Sequence, residues 1–107
     1  MTEISKSDWK LFRQKMPDWQ ERYMERLDKE YIELLSSDKP ASAKFWELDE
    51  RIKSDKKSKG VIIEYRKNQA VWDIMTLVND GIISMEDLSD FSDELKEEIE
   101  FLAKRFR

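Results

Sequence analysis

The sequence contains no cysteine and no histidine among its 107 residues. Without cysteine, the chain has no disulfide, no thiol nucleophile and no thiolate ligand for a metal. Without histidine, it lacks the commonest general base, the commonest zinc ligand and the side chain that titrates near neutral pH. We therefore expect a protein that uses no cofactor, is not an enzyme, and acts by binding another macromolecule.

Glycine and proline are also scarce, with two residues of each. So few turn-forming residues disfavour a fold of many β-strands. Apolar residues make up 39% of the chain and charged residues 41%, which suits slender helices with one apolar stripe and charged flanks. The length is that of one domain, so the sequence predicts a single helical domain over residues 1–107.

Long apolar runs are missing as well. No run exceeds three residues, as in Val61 to Ile63, so we predict no membrane-spanning segment and no membrane partner. The first residues lack the charged and apolar regions of a signal peptide, which makes the cytoplasm the expected location. A net charge of −4 argues against general binding to nucleic acid.

The spacing of apolar residues predicts an all-α small helical bundle of four to five helices. Ser5 or Ser7 is expected to cap the first helix. Pro17 either kinks one continuous helix or begins a second helix, and we favour a long second helix over residues 18–37, whose length suggests a homodimer. Beyond the turn at Pro40, a third helix is expected to bury the stripe Ala41, Phe45, Leu48 and Ile52.

The second half of the chain contains two further helices and one ambiguous segment. Residues 61–65 are β-branched and fit either a short extended piece or the start of a helix. Asn68 is a candidate cap for a helix that ends at Asn79-Asp80-Gly81. Ser84 to Asp87 has the pattern of a capping box. Ser92 is expected to cap the last helix, with core positions Phe91, Leu95, Ile99, Leu102 and Phe106.

Four tryptophans are many for this length. Trp9 and Trp19 lie on apolar stripes and are expected in the core. Trp46 and Trp72 each follow a stripe position by one residue, which places them at the edge of an apolar face. Burial is the simpler expectation for both, but an edge tryptophan beside charges can also anchor a protein partner.

Charge is segregated along the chain. Residues 80–100 contain nine acids and one lysine, whereas residues 51–67 contain seven bases and two acids. The acidic region and the two edge tryptophans form the predicted protein-binding set: Asp87, Asp90, Asp93, Glu94, Glu97, Glu98, Trp46 and Trp72. The basic region forms an alternative, nucleic-acid-binding set: Arg51, Lys53, Lys56, Lys57, Lys59, Arg66 and Lys67.

Paired carboxylates are the remaining side chains that could support catalysis. Glu30 with Glu33, and Glu47 with Glu50, have the spacing by which all-α nucleotide pyrophosphohydrolases hold magnesium, but the second pair does not end in the usual aspartate. A magnesium-dependent hydrolase is therefore a second alternative function.

Several short segments are similar to those of a known family: Trp9-Lys-Leu-Phe-Arg, Trp19-Gln-Glu-Arg-Tyr-Met, Glu30-Tyr-Ile-Glu-Leu-Leu, Lys44-Phe-Trp-Glu-Leu, Gly60-Val-Ile and Asp90-Phe-Ser-Asp-Glu-Leu-Lys. In them the chain resembles a family of short, uncharacterised proteins of Gram-positive bacteria and their mobile elements. Some members are labelled multidrug transporters, which the absence of long apolar runs contradicts. Small acidic proteins of mobile elements are often inhibitors of host defence, so the resemblance implies an anti-CRISPR-type inhibitor. It brings no catalytic motif.

The leading hypothesis from the sequence is a protein-binding inhibitor or regulator of a nucleic-acid-handling protein. Its acidic surface is expected to enter the partner's nucleic-acid groove, for example that of a nuclease.

Overall fold

The computed structural model describes residues 3–107, and within them the fold is all-α without a β-strand. Four α-helices follow one another: α1 (Lys6–Leu35), α2 (Ala41–Asp55), α3 (Ala70–Asn79) and α4 (Asp93–Arg105). Two short 3₁₀ turns, Lys67–Gln69 and Met85–Leu88, precede α3 and α4. The predicted all-α class is confirmed. None of the helices in this described part is long and apolar enough to cross a lipid bilayer.

Helix α1 differs from the prediction, because one continuous helix replaces the expected first and second helices. The Ser5 hydroxyl accepts a hydrogen bond from the Asp8 amide at 3.1 Å, which caps the helix as predicted. Pro17 lies inside α1 and has no N–H to donate to the preceding turn. Its ring is exposed, whereas Phe12, Met16 and Trp19 are buried on the other side of the helix. The apolar stripe thus runs past Pro17 and explains why the helix continues.

The described residues form two compact units. The terminal unit contains residues 3–19 and 64–107, and the hairpin unit contains residues 20–63. Helix α1 contributes residues to both units. Whether the chain behaves as the predicted single domain stays a prediction.

The terminal unit contains most of the core. Helix α3 buries one apolar side in its ten residues, and α4 buries Leu95, Ile99 and Ala103. Trp19 stacks on Phe91, with ring centres 6.1 Å apart. A fully buried side chain such as Ile74 or Ile99 contributes about 1.5–3 kcal/mol to the free energy of unfolding.

In the terminal unit, the end of α3, the capping box before α4 and the N-cap of α4 form as predicted. Helix α3 ends as expected at Asn79–Gly81, because Gly81 has a φ of 72° and its amide donates to the Val78 carbonyl at 3.1 Å. Ser84 and Asp87 form the predicted capping box. The Ser92 hydroxyl caps α4 by accepting from the Leu95 amide at 3.2 Å. Asn68, by contrast, lies within the 3₁₀ turn, and Gln69 directly precedes α3.

A buried carboxylate joins the first turns of α1 and α4. Asp8 is 5% exposed, and its two oxygens accept hydrogen bonds from the Ser92 amide at 3.0 Å and the Ser92 hydroxyl at 2.5 Å. Asp8 also lies in the first turn of α1, where the helix dipole favours a negative charge. The carboxylate therefore fixes the cap of α4 from 84 residues away in sequence.

In the hairpin unit, α2 begins directly after Pro40 as predicted, but its apolar stripe is not buried as predicted. No residue of α2 is buried: Ala41 and Phe45 are exposed, and Leu48 and Ile52 are half-buried. Two helices alone enclose little volume, so the stripe finds only partial cover in this unit. Leu27 is the one buried hydrophobic residue among residues 20–63.

Three smaller expectations need correction. Residues 62–66 belong to no helix and to no paired strand, so the reading of the 61–65 segment as the start of a helix is wrong. Trp9, predicted in the core, is half-buried, and the Arg13 guanidinium lies 5.1 Å from the centre of its ring. Phe106, also predicted in the core, is exposed. Each ring lies close to an end of its helix, where fewer neighbouring side chains are available to cover it.

Candidate functional site

The acidic face of α4 is the clearest candidate for a binding surface. Leu95 and Ile99 point into the terminal unit, so residues half a turn away face solvent. Asp93, Glu97 and Glu100 occupy this outer side at helical spacing and are all exposed. Asp90 and Glu94 are exposed beside them, whereas Glu98 is half-buried.

Phe101 lies on the same outer face and is 63% exposed. It forms one wall of a shallow groove of about 580 Å³, whose other lining residues are Glu97, Glu100, Lys104 and Arg105. An exposed apolar ring beside charged side chains combines burial energy with charge selectivity, which is typical of an anchor for a protein partner.

The ion pairs on this surface are weak. Asp93 meets Lys96 at 3.1 Å with its side chain 91% exposed, and Glu100 meets Lys104 at 3.4 Å. Asp90 meets Lys15 of α1 at 3.2 Å. Exposed pairs of this kind contribute about 0–1 kcal/mol, so a partner can displace them at little cost.

Asp87 belongs to the predicted acidic set but has a structural role in the fold. Its carboxylate accepts a hydrogen bond from the Ser84 amide at 2.8 Å and completes the capping box. We therefore exclude Asp87 from the candidate surface, because replacing it would disturb the turn before α4.

The two predicted edge tryptophans occupy different units. Trp72 in α3 is half-buried, and its ring packs edge-on against Phe106 at 5.0 Å between centres. Trp46 in α2 is 63% exposed and packs edge-on against Phe45 at 5.0 Å. Trp72 shares a unit with the acidic face of α4, but Trp46 belongs to the hairpin unit.

The predicted basic set is also divided between the units. Arg66 and Lys67 belong to the terminal unit, and the other five bases, Arg51, Lys53, Lys56, Lys57 and Lys59, belong to the hairpin unit. Several bases contact nearby carboxylates: Arg51 meets Glu30 at 3.1 Å, Lys53 meets Asp49 at 2.8 Å and Arg66 meets Glu64 at 2.8 Å. A phosphate would have to compete with these carboxylates for the same cations.

One glutamate of each pair considered for magnesium forms an ion pair with a different basic residue. Glu30 meets Arg51 at 3.1 Å, and Glu47 meets Lys39 at 2.9 Å. Over residues 3–107 no three acidic side chains converge in a group that could hold a metal ion. Within that part of the chain, Glu30 and Glu47 therefore belong to no shared set of metal ligands.

A second groove, of about 410 Å³, lies within the hairpin unit. The Tyr31 hydroxyl donates a hydrogen bond to the Asp55 carboxylate there, linking α1 to α2. The Arg51 guanidinium lies 5.5 Å from the centre of the Tyr31 ring, a distance suited to a cation–π contact. Burial and the hydrogen bond to Asp55 raise the pKa of Tyr31 to about 12.

We expect Tyr31 to ionise last in an alkaline titration followed by tyrosinate absorbance. The Tyr31→Phe variant should lose a step near pH 12, and Asp55→Asn should lower the pKa of Tyr31 because the repelling carboxylate is gone. In the unfolded chain the Tyr31 hydroxyl ionises near pH 10. The contribution of protonated Tyr31 to the free energy of unfolding is therefore complete below pH 10 and is lost between pH 10 and 12. An unchanged titration of the Tyr31→Phe variant would contradict the assignment.

Sequence reasoning missed Phe101, although a signal was present. Phe101 follows the core position Ile99 by two residues, about 200° around the helix, so it cannot share the core face. Trp46 and Trp72 were placed at the edge of an apolar face by their spacing, and the same reasoning places Phe101 on the opposite side of its helix.

No protein-family model matches the chain, and no curated protein or solved structure matches it.

Proposed function

We propose that this protein binds a basic surface of another protein through the acidic face of α4, with Phe101 as the apolar anchor. The exposure of Phe101 on the outer face of α4, beside Glu97 and Glu100, is the observation that carries the proposal, although Lys104 and Arg105 also line its groove. Charged residues around the ring select the partner and speed the encounter, and burial of the ring holds the complex together. The mode of action is inhibition or regulation of the partner, without catalysis.

The charge spacing favours a partner that normally holds nucleic acid. Residues 93–100 contain five acids, which is about one carboxylate per 2.4 Å of helix axis. One strand of a DNA duplex has a phosphate about every 3.4 Å. Lysines and arginines arranged for phosphates would therefore meet a similar linear charge density on α4. An anti-CRISPR-type inhibitor of a nuclease, which the family resemblance implies, would be one instance.

The test compares two variants with the same change in net charge. One neutralises the α4 surface by Asp90→Asn, Asp93→Asn, Glu94→Gln and Glu97→Gln. The matched control neutralises four exposed acids of α1, Asp18→Asn, Glu21→Gln, Glu25→Gln and Asp28→Asn. Immobilised proteins are exposed to lysate of a Gram-positive host, and captured proteins are quantified by mass spectrometry.

We expect the wild type and the α1 variant to capture a nucleic-acid-binding protein, and the α4 variant to retain at least about tenfold less. Excess duplex DNA should release the captured partner, because both occupy the same groove. The Phe101→Ser variant should weaken capture without changing the charge. Equal capture by the α4 variant would reject the proposal, and so would a partner that DNA does not displace.

A further inference from the structure

An exposed apolar patch lies at one end of the hairpin unit. Ile32 and Leu35 are three residues apart in the last turn of α1, and they are 62% and 47% exposed. Phe45 and Trp46 lie at the start of α2, and each is 63% exposed. Residues 36–40 join the two helices, so all four residues lie within about two helical turns of the same connection. We call these four residues the hairpin-tip patch.

The hairpin-tip patch adds to a general shortage of cover in this unit. Helix α2 has no buried residue in its 15, and Leu27 alone is a buried hydrophobic residue among residues 20–63. Two helices without a third layer leave one side of each apolar stripe open to water. In helical bundles, a second hairpin commonly supplies the missing layer.

The area of the patch is close to what a dimer needs. A large aromatic side chain offers about 150–250 Å², so Phe45 and Trp46 at 63% exposure present about 100–150 Å² each. With Ile32 and Leu35, the patch reaches about 400–500 Å² on one chain, large for a surface without a partner. Two facing patches and their polar rims would bury about 1,000 Å², the lower limit of specific interfaces.

The charges around the patch permit contact with a second copy. Residues 32–47 contain three acids and two bases. One acid and one base already form the pair Lys39–Glu47 at 2.9 Å, and the Lys44 ammonium donates to the Leu35 carbonyl at 3.0 Å. The acidic face of α4 would repel its own copy, but a nearly neutral rim meets a copy of itself without a large electrostatic penalty.

We propose that two copies of this chain associate through their hairpin-tip patches around a two-fold axis. In a two-fold contact each copy presents the same residues, so Trp46 and Phe45 of both chains become buried together with Ile32 and Leu35. The two α2 helices and the two ends of α1 then supply the layer that each hairpin lacks. This association does not require the partner proposed for α4, because the acidic face belongs to the terminal unit.

Sedimentation of the full chain over a range of concentrations tests this proposal. An interface near 1,000 Å² is expected to have a dissociation constant of about 1–100 μM, so the mean mass should rise from 13.0 kDa towards twice that value by about 500 μM. Trp46→Lys should weaken the dimer at least about tenfold. The matched control Phe101→Lys changes an equally exposed ring on α4 and should leave the dimer intact.

A spin label gives a second measurement that does not depend on mass. The chain has no cysteine, so Ser42→Cys places a single nitroxide at an exposed position near the patch. One label per chain has no partner within its own chain, so dipolar coupling requires a second copy. Coupling should appear with the dimer and disappear in Ser42→Cys/Trp46→Lys.

Three outcomes would overturn the proposal. The first is a wild-type monomer at 500 μM, which would leave the patch to a different protein. The second is a dimer that Trp46→Lys does not weaken. The third is a dimer that Phe101→Lys dissociates as strongly, because the contact would then involve α4. Circular dichroism of each variant establishes that its helices are intact, and Trp46→Ser repeats the test without an added charge.

Discussion

Asp8→Ala should lower the free energy of unfolding by about 3 kcal/mol. The Asp8 carboxylate is almost fully buried and accepts from both the amide and the hydroxyl of Ser92. Hydrogen bonds to a charged group contribute about 1.5–3 kcal/mol each, and the Ser92 amide would lose its acceptor. Helix α4 would also lose the orientation of its cap. Urea unfolding followed by circular dichroism measures the change.

Two further variants separate this role from a general effect of charge. Asp93→Ala removes a carboxylate that is 91% exposed and should change stability by no more than about 0.5 kcal/mol. Ser92→Ala combined with Asp8→Ala should destabilise less than the sum of the two single variants, because both remove the same contact. Additive effects, or a loss below about 1 kcal/mol in Asp8→Ala, would contradict the assigned role.

Pro17→Ala should raise the free energy of unfolding by about 2 kcal/mol. In a helix interior proline is about 3 kcal/mol less favourable than alanine, because it lacks the N–H and its ring collides with the preceding turn. Alanine gives the unfolded chain more freedom, which offsets about 0.5–1 kcal/mol. The Pro17 ring is exposed, so its removal leaves no cavity. Thermal and urea unfolding should both report the gain.

Pro40 provides a control of opposite sign. It precedes α2 with a φ of −56°, a value that proline favours, and it interrupts no helical hydrogen bond. Pro40→Ala should therefore lower stability by about 0.5–1 kcal/mol, through the freedom it returns to the unfolded chain. If both substitutions changed stability in the same direction, the explanation for Pro17 would be wrong.

The local features of the fold were predictable because their causes are local. The hydroxyl of Ser92, the Ser84 to Asp87 capping box and the left-handed backbone at Gly81 each act within a few residues. Such groups determine where a helix starts or stops before any packing occurs. The starts of α2 and α4 and the end of α3 consequently followed from the sequence to within a few residues.

The remaining features depend on packing that no short segment contains. Pro17 alone indicates a helix start, but the buried residues on both sides of it keep one helix intact. Phe45 has the spacing of a core residue, yet a stripe is buried only if another element covers it. The bond between Asp8 and Ser92 joins residues 84 apart, which periodicity cannot reveal.

The candidate site was predictable in its charge and not in its anchor. The excess of acids on α4 is a property of composition, and their exposure follows from the apolar stripe opposite them. Asp87 belongs to the same run of acids, but its carboxylate accepts a hydrogen bond from the Ser84 amide. Its position three residues after Ser84 therefore determines its role in the turn. Phe101 carries no charge, so the charge pattern does not select it, and only its position on the helix relative to Ile99 indicates its exposure.

The uneven distribution of buried residues has a consequence for the lifetime of the protein in a cell. Little apolar surface must be exposed to unfold α2, so this segment should open far more often than α3 or α4. Proteases cleave such transiently opened segments, and the cleavage rate follows the population of the open form. A monomer would therefore be degraded from its hairpin, whereas association at Trp46 would protect the same segment. The half-life of the protein would then lengthen as its concentration rises, because each copy in the dimer protects the other from cleavage.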